Sequence, residues 1–179
     1  MSSLPLHDAV KAEDIEKIKQ LLSDDSINPN EEDENGITAL IEACLTGNES
    51  IVQILMDEAK CPAQPPSPFR HTPLRGAAVC GHAHLIPILL KAGADPNALS
   101  DGNRTPLMGT CFLRKTVNEG KDHGIISAKC VKAMLDDPRT DPTIANNFGE
   151  TALDLAKIRG YDESVKMLNE ILERWSKKL

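Results

Sequence analysis

A short pattern that returns about every 33 residues constrains this chain more than any other feature. Thr-Pro-Leu or Thr-Ala-Leu begins at Thr38, Thr72, Thr105 and Thr151, and Leu4 starts a related Leu-Pro-Leu segment. The successive spacings are 34, 34, 33 and 46 residues. A period of this length predicts a solenoid of stacked units, because one unit alone cannot bury its own hydrophobic face.

Each unit is predicted to contain two helices joined by a turn. The threonine is a good N-cap residue, and a proline directly after it, as at Pro73, costs no helical hydrogen bond. Nine residues after the threonine, Gly47, Gly81 and Gly160 indicate that the first helix ends in a left-handed conformation. Clusters of aliphatic residues then mark the second helix.

The most complete unit carries a family resemblance. It contains Arg-His-Thr-Pro-Leu at 70–74, Gly-His at 81–82 and Leu-Leu-Lys-Ala-Gly-Ala-Asp-Pro-Asn-Ala at 89–98. This pattern resembles the ankyrin repeat family. The resemblance implies an all-α solenoid of about five helix-turn-helix repeats with finger loops. We place one domain at 1–179, with repeats at approximately 1–32, 33–66, 67–99, 100–145 and 146–179.

Repeat four departs most from the pattern. We expect its first helix to run from Thr105 to about Arg114 and its second helix to start at the N-cap Ser127, so that 115–125 is an inserted loop. Two interpretations stay open, a tolerated surface loop and a loop that contributes binding specificity.

Smaller departures concern single residues and the two ends of the chain. Glu13 replaces the turn glycine in repeat one, which fits a terminal cap, and the last helix is expected to continue past Leu168 through Trp175. Pro87 is expected to remove one hydrogen bond from the second helix of repeat three.

Composition excludes several function classes. The net charge of −7 argues against nucleic-acid binding, which needs a basic surface. The sequence has no long apolar run and no recognisable secretory signal, so we expect no membrane span. Five scattered cysteines predict reduced thiols, and therefore a cytoplasmic or nuclear protein.

One cluster of residues resembles a metal or catalytic site. Cys80, His82 and His84 suggest a metal-binding or thiol enzyme, but His82 occupies the Gly-His position of the repeat, and no paired zinc-ligand spacing occurs. No nucleophile-elbow or phosphate-loop motif occurs either. We therefore expect no catalytic residues, no metal and no cofactor.

Two polar segments allow alternatives. The acidic run at 31–34 is interpreted as a solvated finger or, alternatively, as a docking site for a basic partner. Asn97 is interpreted as a structural residue that ties its finger to the neighbouring one. Its surroundings also resemble the segment that asparaginyl hydroxylase modifies in ankyrin proteins.

The resemblance further implies a concave groove formed by finger tips and by the ends of the first helices. All three phenylalanines of the chain fall at such positions, and exposed apolar residues mark interaction surfaces. We predict a non-enzymatic protein–protein interaction module, an adaptor or inhibitor, that binds a protein presenting apolar side chains. We expect a monomer; a scaffold that self-associates through the groove is the alternative. The predicted partner-binding residues are Ile37, Leu45, Phe69, His71, Val79, Arg104, Phe112, Leu113, Phe148 and Ile158.

Overall fold

The computed structural model describes residues 4–63, 71–113 and 122–177. These residues form ten α-helices, and none of them belongs to a named strand, which confirms the all-α solenoid. The helices are α1 (Pro5–Lys11), α2 (Ile15–Leu22), α3 (Ala39–Thr46), α4 (Glu49–Asp57), α5 (Pro73–Cys80), α6 (Leu85–Lys91), α7 (Pro106–Thr110), α8 (His123–Leu135), α9 (Ala152–Arg159) and α10 (Asp162–Ser176).

The helices are arranged as five stacked pairs. The first helices α1, α3, α5, α7 and α9 pack in sequence, and each first helix also packs against the second helix of its own pair. One continuous core of Leu, Ile, Val, Ala, Met and Cys side chains connects the pairs. None of the described helices is long and apolar enough to cross a membrane.

The predicted helix caps are confirmed. The hydroxyl oxygens of Thr38, Thr72, Thr105 and Thr151 each accept a hydrogen bond from the backbone N–H three residues later, at 3.1 to 3.3 Å. The turn glycines Gly47, Gly81 and Gly160 have φ of 85°, 80° and 67°. Each first helix that has the glycine therefore ends in the left-handed turn that directs the chain into the second helix.

Two expected boundaries in repeat four are wrong. Helix α7 ends at Thr110, and α8 begins at His123 because Asp122 caps it, accepting the backbone N–H of Ile125 at 3.1 Å. Ser127 is consequently inside the helix and buried, and its hydroxyl lies 2.8 Å from that of Ser164. Of the expected loop 115–125, residues 122–125 are the cap and first turn of α8, and 115–121 lie outside the described residues.

Pro87 is the third residue of α6. This helix begins four residues after its turn glycine, whereas α4 and α10 begin two residues after theirs. His84, just before α6, already has helical φ and ψ, so the expectation that Pro87 removes one helical hydrogen bond stays a prediction. At the chain ends, by contrast, the expectations hold: Glu13 adopts a positive φ of 53° in place of glycine, and α10 extends to Ser176.

Candidate partner-binding site

Finger turns place side chains at one edge of each helix pair. In three fingers the backbone N–H of one residue donates to the carbonyl oxygen four residues later, from Asp33 to Ile37, from Ser100 to Arg104 and from Asn146 to Glu150. The next residue is in each case the threonine that caps the first helix. Finger and first helix are thus joined without a linker, which fixes the finger relative to the helix.

The finger side chains reinforce these turns. Oδ1 of Asp33 accepts the backbone N–H groups of Asn35 at 2.8 Å and Ile37 at 2.9 Å. Partial burial of the Asp33 carboxyl opposes ionisation, but the bonds from these two N–H groups outweigh it, so its pKa is lowered. Asn146 makes the corresponding pair of bonds to Phe148 and Glu150.

A groove runs along the face formed by the fingers and the first helices. Its larger cavity, of about 560 Å³, extends from Lys11 and Asp33 to Phe112, and a smaller one of about 100 Å³ continues to Phe148. Four residues line both cavities: Arg75, Val79, Arg104 and Phe112. Because the two cavities share these four lining residues, they are parts of one continuous groove.

Most of the predicted partner-binding residues lie on this groove. Ile37, Leu45, His71, Val79, Arg104 and Phe112 line the larger cavity, and Phe148 lines the smaller one. Ile158 is 67% exposed near the end of α9 but lines neither cavity. Phe69 lies outside the described residues.

Leu113 departs from the expectation of an exposed groove position. Its side chain is buried, and it lines neither cavity. The groove residues follow the capping threonine by three, four and seven residues, as Met108, Gly109 and Phe112 follow Thr105. Within α5, at about 100° per residue, the eighth position after the threonine is rotated away from this face, and Cys80 is buried there. Leu113 occupies the same position in repeat four, just past the end of α7.

The centre of the groove is an exposed aromatic ring. Phe112 is 51% exposed, and the guanidinium carbon of Arg159 lies 4.1 Å from its ring centroid. Phe148, at the tip of the last finger, is 77% exposed. A guanidinium at this distance from a ring makes a cation–π contact, so Arg159 holds Phe112 at the groove surface.

Comparison with known proteins places this architecture in a family. A family model described as ankyrin repeats in three copies matches residues 6–100, more than half of the chain. The chain belongs to the ankyrin repeat family. Ankyrin repeats are protein-interaction modules.

Three curated proteins illustrate the ankyrin similarity. Human transient receptor potential cation channel subfamily A member 1 is 34% identical over 111 residues, 58% of this chain and 10% of that protein. The 26S proteasome non-ATPase regulatory subunit 10 of Dictyostelium discoideum is 36% identical over 86 residues, which are 48% of this chain and 37% of that protein. Caenorhabditis elegans mask-1, an ankyrin repeat and KH domain-containing protein, is 28% identical over 136 residues, which are 74% of this chain and 5% of that protein. The matched segments span well under half of each relative.

The histidines of the ankyrin Gly-His segment connect neighbouring repeats. The imidazole Nε2 of His82 lies 3.0 Å from the carbonyl oxygen of Leu45, and that of His84 lies 3.1 Å from the carbonyl oxygen of Gly47. Both carbonyls belong to the turn of the preceding repeat, and Cys80 is buried at the end of α5. The two rings therefore bond the backbone of the neighbouring turn.

Asn97 ties its ankyrin finger to the next loop, as its structural interpretation predicts. Its side-chain Nδ2 donates to the carbonyl oxygen of Arg139 at 2.7 Å, and its Oδ1 accepts the backbone N–H of Asp141 at 2.8 Å. Both ends of the amide are used, so a shorter or apolar side chain could not replace it. The alternative, that Asn97 is hydroxylated, stays a prediction.

Sequence reasoning missed Arg75 and the contact between Arg159 and Phe112. Arg75 follows its capping threonine by three residues and lines both cavities, while Arg159 contacts Phe112. The signal for Arg75 was the helical period counted from Thr72, since the third, fourth and seventh positions share one face. The Arg159 contact had no such signal, because it depends on how two consecutive repeats stack.

Proposed function

We propose that this protein is a non-enzymatic interaction module, an adaptor or inhibitor, that binds a partner protein in the groove centred on Phe112. One observation carries the proposal: the groove is continuous over several repeats, and its middle and far end present Val79, Phe112 and Phe148. Large apolar side chains at a concave, solvent-facing surface mark a site of protein association. The whole chain, 1–179, acts as one binding unit.

The burial of the thiols supports a binding protein rather than a thiol enzyme. All five cysteines are buried. Loss of hydration raises the pKa of Cys61 and Cys111 to about 11 and also raises that of Cys44. A thiol nucleophile needs a lowered pKa and access to substrate, and these thiols have neither. Buried reduced cysteines also suit the cytoplasm or nucleus, where we place the protein.

The geometry favours a monomer that binds a different protein. The groove is concave over its length, so a flat partner surface would leave it unfilled. A second copy of the same chain would have to insert a projecting element into it. The described surface opposite the groove is formed by the second helices of the pairs.

The proposed function can be tested by mapping where selected peptides bind. A random peptide library would be panned on the immobilised protein, and an enriched peptide added to isotope-labelled protein while backbone amide NMR shifts are recorded. We expect the largest shift changes around Val79, Phe112 and Phe148. Changes centred on Ile125, an exposed apolar residue on α8 outside the groove, would contradict the proposal.

Light scattering over a range of concentrations would separate the self-associating scaffold from the monomer. A mass independent of concentration supports the monomer, and a rise that a groove variant abolishes supports self-association through this surface.

A further inference from the structure

The charge of the groove changes along its length. Near α1 its ionisable lining residues are Lys11, Asp33 and Glu42, with the acidic segment 31–34 on the adjoining finger. Toward the other end, Arg75 and Arg104 line both cavities, and Arg159 lies over Phe112. Three of the chain's seven arginines therefore lie around the centre of the groove, although the net charge is −7.

Two of these arginines lack a carboxylate partner in the described part of the chain. The ion pairs found there are Lys132–Asp136 and Arg139–Asp137, both away from the groove. Arg104 and Arg159 are exposed and take part in neither. The acidic residue lining the smaller cavity is Glu150, and its carboxylate accepts a hydrogen bond from Nδ2 of Asn146 within its own finger at 2.9 Å.

Two of the arginines lie beside apolar surface. Arg104 shares both cavities with Val79 and Phe112, and Arg159 stacks on Phe112 itself. A guanidinium binds a carboxylate through two parallel hydrogen bonds, and it is less strongly hydrated than an ammonium group. Such a site recognises a carboxylate and a neighbouring apolar side chain together.

We infer that the occupant of the groove is an acidic protein segment in which Asp or Glu lies next to a large apolar residue. The inference rests on the proposed function of the groove. Arg104 pairs with the carboxylate of the segment, and the apolar side chain packs against Phe112 and Phe148. A nucleic acid is disfavoured, because the acidic finger at the other end of the groove and the net charge of −7 repel a phosphate backbone.

The composition of selected peptides tests the inference. Peptides enriched from the random library are expected to contain Asp or Glu beside Leu, Ile, Phe or Trp more often than the unselected library. Their affinity should fall about tenfold for Arg104→Gln, because hydrogen bonds to charged groups are among the stronger ones. Lys129→Gln is the matched control, since Lys129 is an exposed cation on α8 outside the groove. Affinity should also fall as ionic strength rises.

The outcomes separate the inference from the proposed function. Enriched peptides that depend on Phe112 but are neutral or basic, or whose affinity is unchanged in Arg104→Gln, would overturn the inference and leave the groove as the binding site. Tight binding of a single-stranded oligothymidine that Arg104→Gln weakens would also overturn it. Peptides that bind equally to Phe112→Ala, or a library with no enrichment, would contradict the proposed function itself.

Discussion

The guanidinium of Arg159 stacks on the ring of Phe112, with 4.1 Å between the guanidinium carbon and the ring centroid. Phe112 follows the end of α7 and Arg159 is the last residue of α9, so the contact spans a repeat boundary. It brings a cation and an aromatic ring together at an exposed position. The same pair that orders the groove wall therefore also supplies two chemical features that a partner can recognise.

The turn glycine Gly47 is predicted to be more sensitive to substitution than Gly160. Both have positive φ, and alanine in that conformation costs about 1–2 kcal/mol. A Cβ at Gly47 would also overlap the imidazole of His82, whereas a Cβ at Gly160 would meet no atom within 4 Å. Displacing His82 loses its bond to Leu45, worth about 1 kcal/mol more.

Urea unfolding of Gly47→Ala and Gly160→Ala would measure this difference. We expect the larger loss of unfolding free energy for Gly47→Ala. Equal losses would mean that the contact between His82 and the preceding turn contributes nothing to stability.

The segment 115–121 is predicted to be dispensable for folding, whereas Asp122 is not. Replacing 115–121 by a Gly/Ser segment of the same length should leave the unfolding free energy nearly unchanged, because the length of the connection, on which the closure entropy depends, stays the same. Asp122→Ala should lower it by about 1 kcal/mol, since α8 loses its N-cap. Thermal unfolding of both variants measures the contrast, and a strongly destabilised Gly/Ser variant would show that the segment is a packed element.

Sequence periodicity was sufficient to predict the fold, but it did not predict every residue of the groove correctly. Thr38, Thr72, Thr105 and Thr151 cap helices for a local reason, since each hydroxyl reaches a backbone N–H three residues away. The burial of Leu113, which follows the end of α7, and the contact between Arg159 and Phe112 depend on how consecutive repeats pack, which local spacing does not specify.

Repeat four was mispredicted for a related reason. Ser127 is a good N-cap by residue type, and Gly124 is a poor helix former. The structure nevertheless starts α8 earlier, because Asp122 caps it and because Ser127 bonds Ser164 across the interface with α10. A second local signal, the N-cap Asp122, acted together with tertiary packing at this point.

The thiols are predicted to be reduced but unreactive in the folded protein. Burial raises the pKa of Cys130 to about 12 and that of Cys61 and Cys111 to about 11, so the reactive thiolate is scarce at mildly alkaline pH. A thiol reagent should find five groups in denaturant and react far more slowly with native protein. Rapid reaction of the reagent with the native protein would contradict the burial of the cysteines. Fewer than five reactive groups after denaturation would indicate oxidation or a bound metal.

The affinity of a groove-binding peptide for Phe112→Ala tests the central claim most directly. Removing an aromatic residue at the centre of an interface typically costs about 2 kcal/mol, a loss of about thirtyfold in affinity. The unfolding free energy should fall only by the contribution of the cation–π contact with Arg159, about 0.5–1 kcal/mol. Ile125→Ala, a change at an exposed apolar residue outside the groove, should leave binding intact. A thirtyfold loss confined to Phe112→Ala is the predicted result. Unchanged binding by folded Phe112→Ala would contradict the account.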